Sequence, residues 1–279
     1  MAQRERRIVV GVDGSENARS ALLWAAAEAR RRDDLLEVLY VYSRPPLADG
    51  SRPEYAEEAQ KVVDAAIRTV GVLDGSVVAK GEAQQGNPAH VLIEASRRAA
   101  MLVVGSRGRG GFGGLLLGSV SHKCVGHAHT PVVVVRPSTG VTGVRRVVVG
   151  VDGSAHSDQA VRWAAEEAGY RNAVLRIVHL WQFPPMGAYS VSPTDGYESI
   201  ATQTLAAAVD LAASVDPDLT IESETRFGSV VDGLREASVE AQLLVVGARG
   251  HGGFSDLLVG AVGQQCAHHA PCPVVIVRE

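Results

Sequence analysis

The chain has 279 residues, 46% hydrophobic and 21% charged, which excludes disordered and fibrous classes and leaves room for two domains of roughly 140 residues. Lys and Arg number 27 against 31 Asp and Glu, and the net charge of -4 argues against a broad nucleic-acid or acidic-membrane surface. Arg4, Arg6 and Arg7 precede an apolar run, Ile8-Val9-Val10, too short for a signal-peptide core, no stretch approaches the ~18–20 apolar residues of a membrane helix, and Cys124, Cys266 and Cys272 lack C-x-x-C spacing. The expected setting is therefore the reducing cytoplasm, without membrane insertion.

In chain order, short apolar runs alternate with amphipathic stretches. Strands are predicted at Arg7–Val12, Leu35–Val41, Ser76–Lys80, Met101–Gly105 and Val132–Val135. Between them, helices are predicted at Asn17–Arg32, Pro53–Val70, Pro88–Ala99 and Ser119–Ala128. The prolines Pro45-Pro46 and Pro184-Pro185 open loops after the second strand of each half, and these loops are expected to flank a ligand. After a Ser/Thr/Gly linker from Pro137 to Arg145 the pattern begins again. Ile8 to Ser15 returns as Val147 to Ser154 with seven of eight residues identical, and Met101 to Val120 returns as Leu243 to Val262 with thirteen of twenty identical.

The chain thus reads as a tandem duplication, with domains at 1–138 and 144–279. The expected class is α/β: two tandem doubly wound, Rossmann-like domains, each with a five-stranded, mainly parallel sheet between helices. Each copy ends in an almost pure Val/Ile strand, at Pro131–Arg136 and Pro273–Arg278, which an open sheet edge would avoid. Pairing of these two strands in an internal pseudo-dimer is the simplest expectation.

Two glycine patterns carry the chemistry. Gly105-x-x-Gly108 is followed after nine residues by Gly118-Ser119, and Gly247-x-x-Gly250 by Gly260-Ala261. A buried strand that opens into glycines and then into a helix start presents backbone N–H groups to an anion, with no Cβ in the way. Arg107 and Arg109 in the first loop, and Arg249 and His251 in the second, supply positive charge for a phosphate. Ser106, Gly110 and Gly111 belong to the first cradle, and Ala248, Gly252 and Gly253 to the second. The P-loop pattern is absent, and the G-x-G-x-x-G match at Gly108, Gly110 and Gly113 follows the wrong strand and fails in the second copy at Ser255.

Asp13 and Asp152 each follow a Gly-Val at the end of a first strand. A carboxylate there accepts a ribose hydroxyl or holds a divalent metal through water, or else it starts an Asx turn; Ser15 and Ser154 are equally good caps. Trp24 and Trp163 are expected in the core. Histidines 122, 127, 129, 268 and 269 lie near the cysteines, but their spacing suits helix ends better than zinc, so no metal is expected there.

Gly-Val-Asp-Gly-Ser after the first strand, the late Gly-x2-Gly-x9-Gly-Ser, and the terminal Pro-Val-Val-Val-Val together resemble the universal stress protein family in its tandem form, over nearly the whole chain. The resemblance implies ATP, with Mg2+, held in each copy. Gly11, Asp13 and Val41 would then contact the nucleoside, and Gly105, Arg107, Gly108, Gly118, Ser119 and Val120 the phosphates. The matching second set is Gly150, Asp152, Leu180, Gly247, Arg249, Gly250, Gly260, Ala261 and Val262. Ala261 departs from the family's Ser or Thr, removing a hydrogen bond worth about 0.5–1.5 kcal/mol, so the second site is expected to bind up to about tenfold more weakly.

Neither loop shows a lysine or an evident catalytic carboxylate, so the expectation is a binding protein with at most slow hydrolysis rather than an enzyme. A nucleotidyl transferase or phosphatase on the same fold is the alternative, and an interaction module with empty pockets or a cyclic nucleotide is a third. The family also implies a homodimer, with the internal pseudo-dimer as the alternative, and an unidentified protein partner is expected besides.

Overall fold

An apolar run of four to six residues buries both of its faces only in the middle of a sheet, and a crossover helix between two such runs makes them parallel. The computed structural model describes residues 6–43, 53–109, 117–137, 145–182, 194–250 and 259–278, and the chain divides into two compact units, Met1–Pro137 and Ser138–Glu279. The first contains β1 (Arg7–Val12), α1 (Glu16–Arg32), β2 (Leu35–Tyr42), α2 (Pro53–Leu73), β3 (Ala79–Gln85), α3 (Pro88–Ser96), β4 (Met101–Gly105), α4 (Ser119–His127) and β5 (Val132–Val135). The second contains β6 (Arg146–Val151), α5 (Ala155–Arg171), β7 (Val174–Trp181), α6 (Thr194–Val215), β8 (Ile221–Phe227), α7 (Val230–Ala237), β9 (Leu243–Gly247), α8 (Ala261–His269) and β10 (Val274–Val277).

Within the first unit the strands lie in the order β3-β2-β1-β4-β5, all parallel, and within the second in the order β8-β7-β6-β9-β10, again all parallel. Each unit is therefore a doubly wound α/β domain with a five-stranded sheet. Strand order reverses between β1 and β4, and between β6 and β9, so the carboxyl ends of these pairs open a crevice. The central strands are sealed: Ile8, Val9 and Val10, like Val147, Val148 and Val149, have no exposed surface.

The third strand departs from the expected Ser76–Lys80. Asp74 Oδ1 accepts from both the N and the Oγ of Ser76, at 3.0 and 2.6 Å, and this turn holds Ser76 out of the sheet and leaves Val78 63% exposed. The strand that forms, Ala79–Gln85, alternates between half-buried and exposed along most of its length, so its pairing with β2 is set by the backbone and not by an apolar run. Trp24 and Trp163, expected in the core, are half-buried. Helix starts follow local chemistry. Ser15 and Ser154 cap α1 and α5, while Asp33 and Asn172 close them in left-handed conformation at φ 55 and 48.

Candidate functional site

In the first unit, Val12 ends β1 and Gly14 turns the chain at φ +80, a conformation that favours glycine. Ser15 Oγ accepts from Ala18 N at 3.2 Å as the helix cap, and Asp13 Oδ1 accepts from Ser15 N at 2.9 Å in an Asx turn. Because the serine takes the cap, the second oxygen of Asp13 is left to face the glycine loop. There Oδ2 accepts from Arg109 N at 2.8 Å, and a β-carbon on Gly108 would be driven into the same oxygen.

The start of α4 is drawn to this point by the chain itself. Gly118 N donates to Ser106 O at 2.8 Å, Ser121 Oγ donates to Gly105 O at 2.6 Å, and Ser106 Oγ donates to Asn17 Oδ1 at 2.9 Å. Gly105 sits so close to α1 that a β-carbon there would lie 2.7 Å from the Asn17 carbonyl carbon. Gly118 caps α4 with no side-chain hydrogen bond, so the first-turn amides and the positive end of the helix dipole face outward. Gly11 and Val41 stand near the carboxyl ends of β1 and β2, and Ser119 and Val120 open α4. Gly110 and Gly111 lie outside the described residues.

The second unit repeats the scheme around a cavity of about 410 Å³. Asp152 Oδ1 accepts from Ser154 N at 3.0 Å and from Ser154 Oγ at 2.6 Å, and Gly250 faces Asp152 Oδ2 as Gly108 faces Asp13. Gly150 and Asp152, Leu180, Gly247 to Gly250, and Gly260 to Val262 all line the cavity, so it gathers every expected second-site residue that is described; His251, Gly252 and Gly253 are outside the described residues. It also takes in Val151, Ser157, Val178, Val230, Leu234, Val246 and Gly263, which motif spacing did not single out.

Val230 and Leu234 come from α7, and the signal that could have found them is the repeat. Leu234 packs where a β-carbon on Gly150 would lie 2.8 Å from its Cδ2, and Leu92 packs in the same way beneath Gly11, 2.8 Å from its Cδ1. Next to Leu234, a β-carbon on Gly233 would be driven into Leu180 Cδ2.

The cavity has two chemical ends. Val178, Leu180, Val230 and Leu234 form an apolar wall, whereas Gly247 to Gly250 and the uncapped start of α8 at Gly260 offer amides and Arg249. A second arginine belongs to this neighbourhood in each unit. Burial, and after it the charge of Arg249, holds the Arg278 guanidinium below its ordinary value, and Arg136 is held down by burial and then by Arg107. The two guanidinium groups of each unit are thus within electrostatic reach of one another, a pairing that suits a multiply charged anion. An Arg follows each terminal strand, a repeat visible in the sequence but not assigned to the site.

Residues 5–136 and 143–278 each match the universal stress protein family. The chain is 32% identical over 285 residues to the universal stress protein Rv2623 of Mycobacterium tuberculosis, covering 98% of this chain and 96% of that one. A universal stress protein of Mycolicibacterium smegmatis is likewise 32% identical, over 294 residues, with 98% and 97% covered. The crystal structure of a universal stress protein from Archaeoglobus fulgidus superposes with a TM-score of 0.72 at 21% identity, covering 99% of each chain, and so shares the fold.

Proposed function

The chain belongs to the universal stress protein family, and from that premise we propose that it is a regulatory protein holding ATP, with Mg2+, in each unit as a ligand or signal, and hydrolysing it slowly at most. The observation that carries this reading is the second-unit cavity at the carboxyl ends of β6, β7 and β9, apolar along one wall and lined by loop and helix-start amides at the other end. A purine lies against the apolar wall, the ribose beside Asp152, and the phosphates on the first turn of α8 with Arg249. In the first unit Gly11, Asp13 and Val41 take the nucleoside, and Gly105 to Arg109 with Gly118 to Val120 take the phosphates.

The residues fit such a group: the helix start is uncapped, and the glycines stand where a β-carbon would collide with an aspartate or the first helix. Mg2+ would supply neutralisation of the phosphate charge, a task the arginines share. Binding is thereby favoured over turnover, and nucleotide occupancy acts by shifting the population of states a partner protein recognises. The reading carries a cytoplasmic homodimer.

The test is to release and identify the small molecules from freshly purified protein, then to titrate stripped protein with Mg-ATP calorimetrically. Two ATP sites per chain, the first tighter, are expected. Metal-dependent transfer of a phosphoryl or nucleotidyl group from ATP to a small acceptor, at the turnover of a dedicated enzyme, would overturn it.

A further inference from the structure

We propose that Leu180 and Gly233 act together to widen the base wall of the second site, so that it accepts purine nucleotides with a substituted base that the first site, with Val41 and Val91 at the equivalent positions, discriminates against. The inference rests on the nucleotide reading of the cavity. The two walls can be compared residue by residue. Asn87 Oδ1 accepts from His90 N at 3.2 Å and Ser229 Oγ accepts from Asp232 N at 3.4 Å, so the same cap, three residues before its donor, starts α3 and α7. That alignment places Leu92 against Leu234, which occupy the same position beneath Gly11 and Gly150, and Val91 against Gly233. On the strands, Gly11 pairs with Leu39 and Gly150 with Val178, which places Val41 against Leu180 two residues on.

In its observed rotamer the strand leucine occupies the space that a side chain on the helix would take. A β-carbon on Gly233 would be driven into Leu180 Cδ2 and would lie 3.2 Å from its Cγ, so the leucine methyl already fills the space a side chain at 233 would need. The two differences between the repeats are one exchange. Valine plus valine carries six side-chain carbons and leucine plus glycine four, and Val178 in place of Leu39 removes one more from the same wall. Val178 and Leu180 both line the cavity, so part of the shortfall is felt at the surface a base would meet. A change of one or two carbons in an apolar pocket is worth roughly 10–200-fold in discrimination.

The experiment uses the full chain with one anion cradle disabled at a time, Gly260→Asp to read the first site and Gly118→Asp to read the second. Three Mg-nucleotides are titrated: ATP, 1,N6-etheno-ATP, whose base gains two carbons on one edge, and 8-bromo-ATP, enlarged on the opposite edge. The ratio of analogue Kd to ATP Kd is expected to be about fivefold or more lower at the second site for at least one analogue. The double exchange Leu180→Val with Gly233→Val should raise that ratio toward the first-site value. Leu180→Val alone, which adds no bulk, should lower it further. Equal ratios at both sites for both analogues, or a ratio that neither variant moves while ATP still binds, would overturn the proposal. Failure of the wild-type chain to bind ATP at all would instead overturn the nucleotide reading.

Discussion

Asp13 and Gly108, ninety-five positions apart, meet at one oxygen, and this contact joins the first motif to the second. Asp13 already accepts from Ser15 N and Arg109 N, so a methyl group at 108 must displace the loop from the carboxylate. Gly108→Ala is expected to weaken ATP at the first site by about tenfold, close to 1.4 kcal/mol, with little change in melting temperature because the residue is exposed. Gly126 supplies the control. It lies in α4 with nothing within 4 Å of the place an alanine methyl would take, so Gly126→Ala should leave binding alone and stabilise by about 0.5–1 kcal/mol, as alanine replaces glycine in a helix. A differential scan and a titration of each variant check both expectations. The glycine spacing and Asp13 were each legible in the sequence because both repeat, whereas the contact between them was not, since nothing local to Gly108 announces Asp13. Arg136 and Arg278 escaped notice for the same reason: their relation to Arg107 and Arg249 exists only after β5 and β10 are laid beside β4 and β9.

At the scale of the element, helix α4 begins at Gly118 in extended conformation, φ -74 and ψ 158, which any residue adopts. Aspartate is a favoured cap in that conformation, stabilising the helix by a few tenths of a kcal/mol over glycine, and its charge suits the helix dipole. The same charge occupies the place proposed for phosphate. Gly118→Asp should therefore separate folding from binding: an equal or higher melting temperature, with first-site ATP affinity reduced by a factor on the order of one hundred, as for a like charge set beside a buried anion. Unchanged affinity in calorimetry would remove α4 from the site. Strands β1, β4 and β5 were legible as elements because they are buried on both faces and apolar throughout, apart from Arg7 and the glycines Gly11 and Gly105. Strand β3 was misplaced because half of its side chains meet water, so its sequence resembles a loop, and the valines ahead of it, Val77 and Val78, drew the assignment forward.

For the whole molecule, ligand binding is linked to stability through RT ln(1 + [L]/Kd). At an ATP concentration of 100 times the first-site Kd, the first unit gains about 2.7 kcal/mol, while a second site tenfold weaker gains about 1.4 kcal/mol. Limited proteolysis followed by mass spectrometry should accordingly show stronger ATP protection for fragments of the first unit than for those of the second; equal protection would count against unequal sites. Alkaline pH acts on both units. Burial pushes the thiols of Cys124, Cys266 and Cys272 up to about 12 from an ordinary 9.0. The folded chain then keeps protons that the unfolded chain has released, so stability is full below pH 9 and declines as pH rises toward 12. Urea midpoints at pH 8, 9.5 and 10.5 should fall in that order, and the fall should flatten when all three cysteines are replaced by alanine.

The competition of Leu180 and a side chain at 233 for one space also bears on how the two repeats diverged. Duplicated domains start identical, so the two walls arose by substitutions from one pair. Leucine with valine is overpacked, and overpacking strains a helix against its strand. Valine with glycine leaves only a void, which a cavity open to ligand tolerates. If one repeat kept the ancestral pair, a route through valine and glycine avoids the overpacked stage, and along it the pocket is wider than with either present pair.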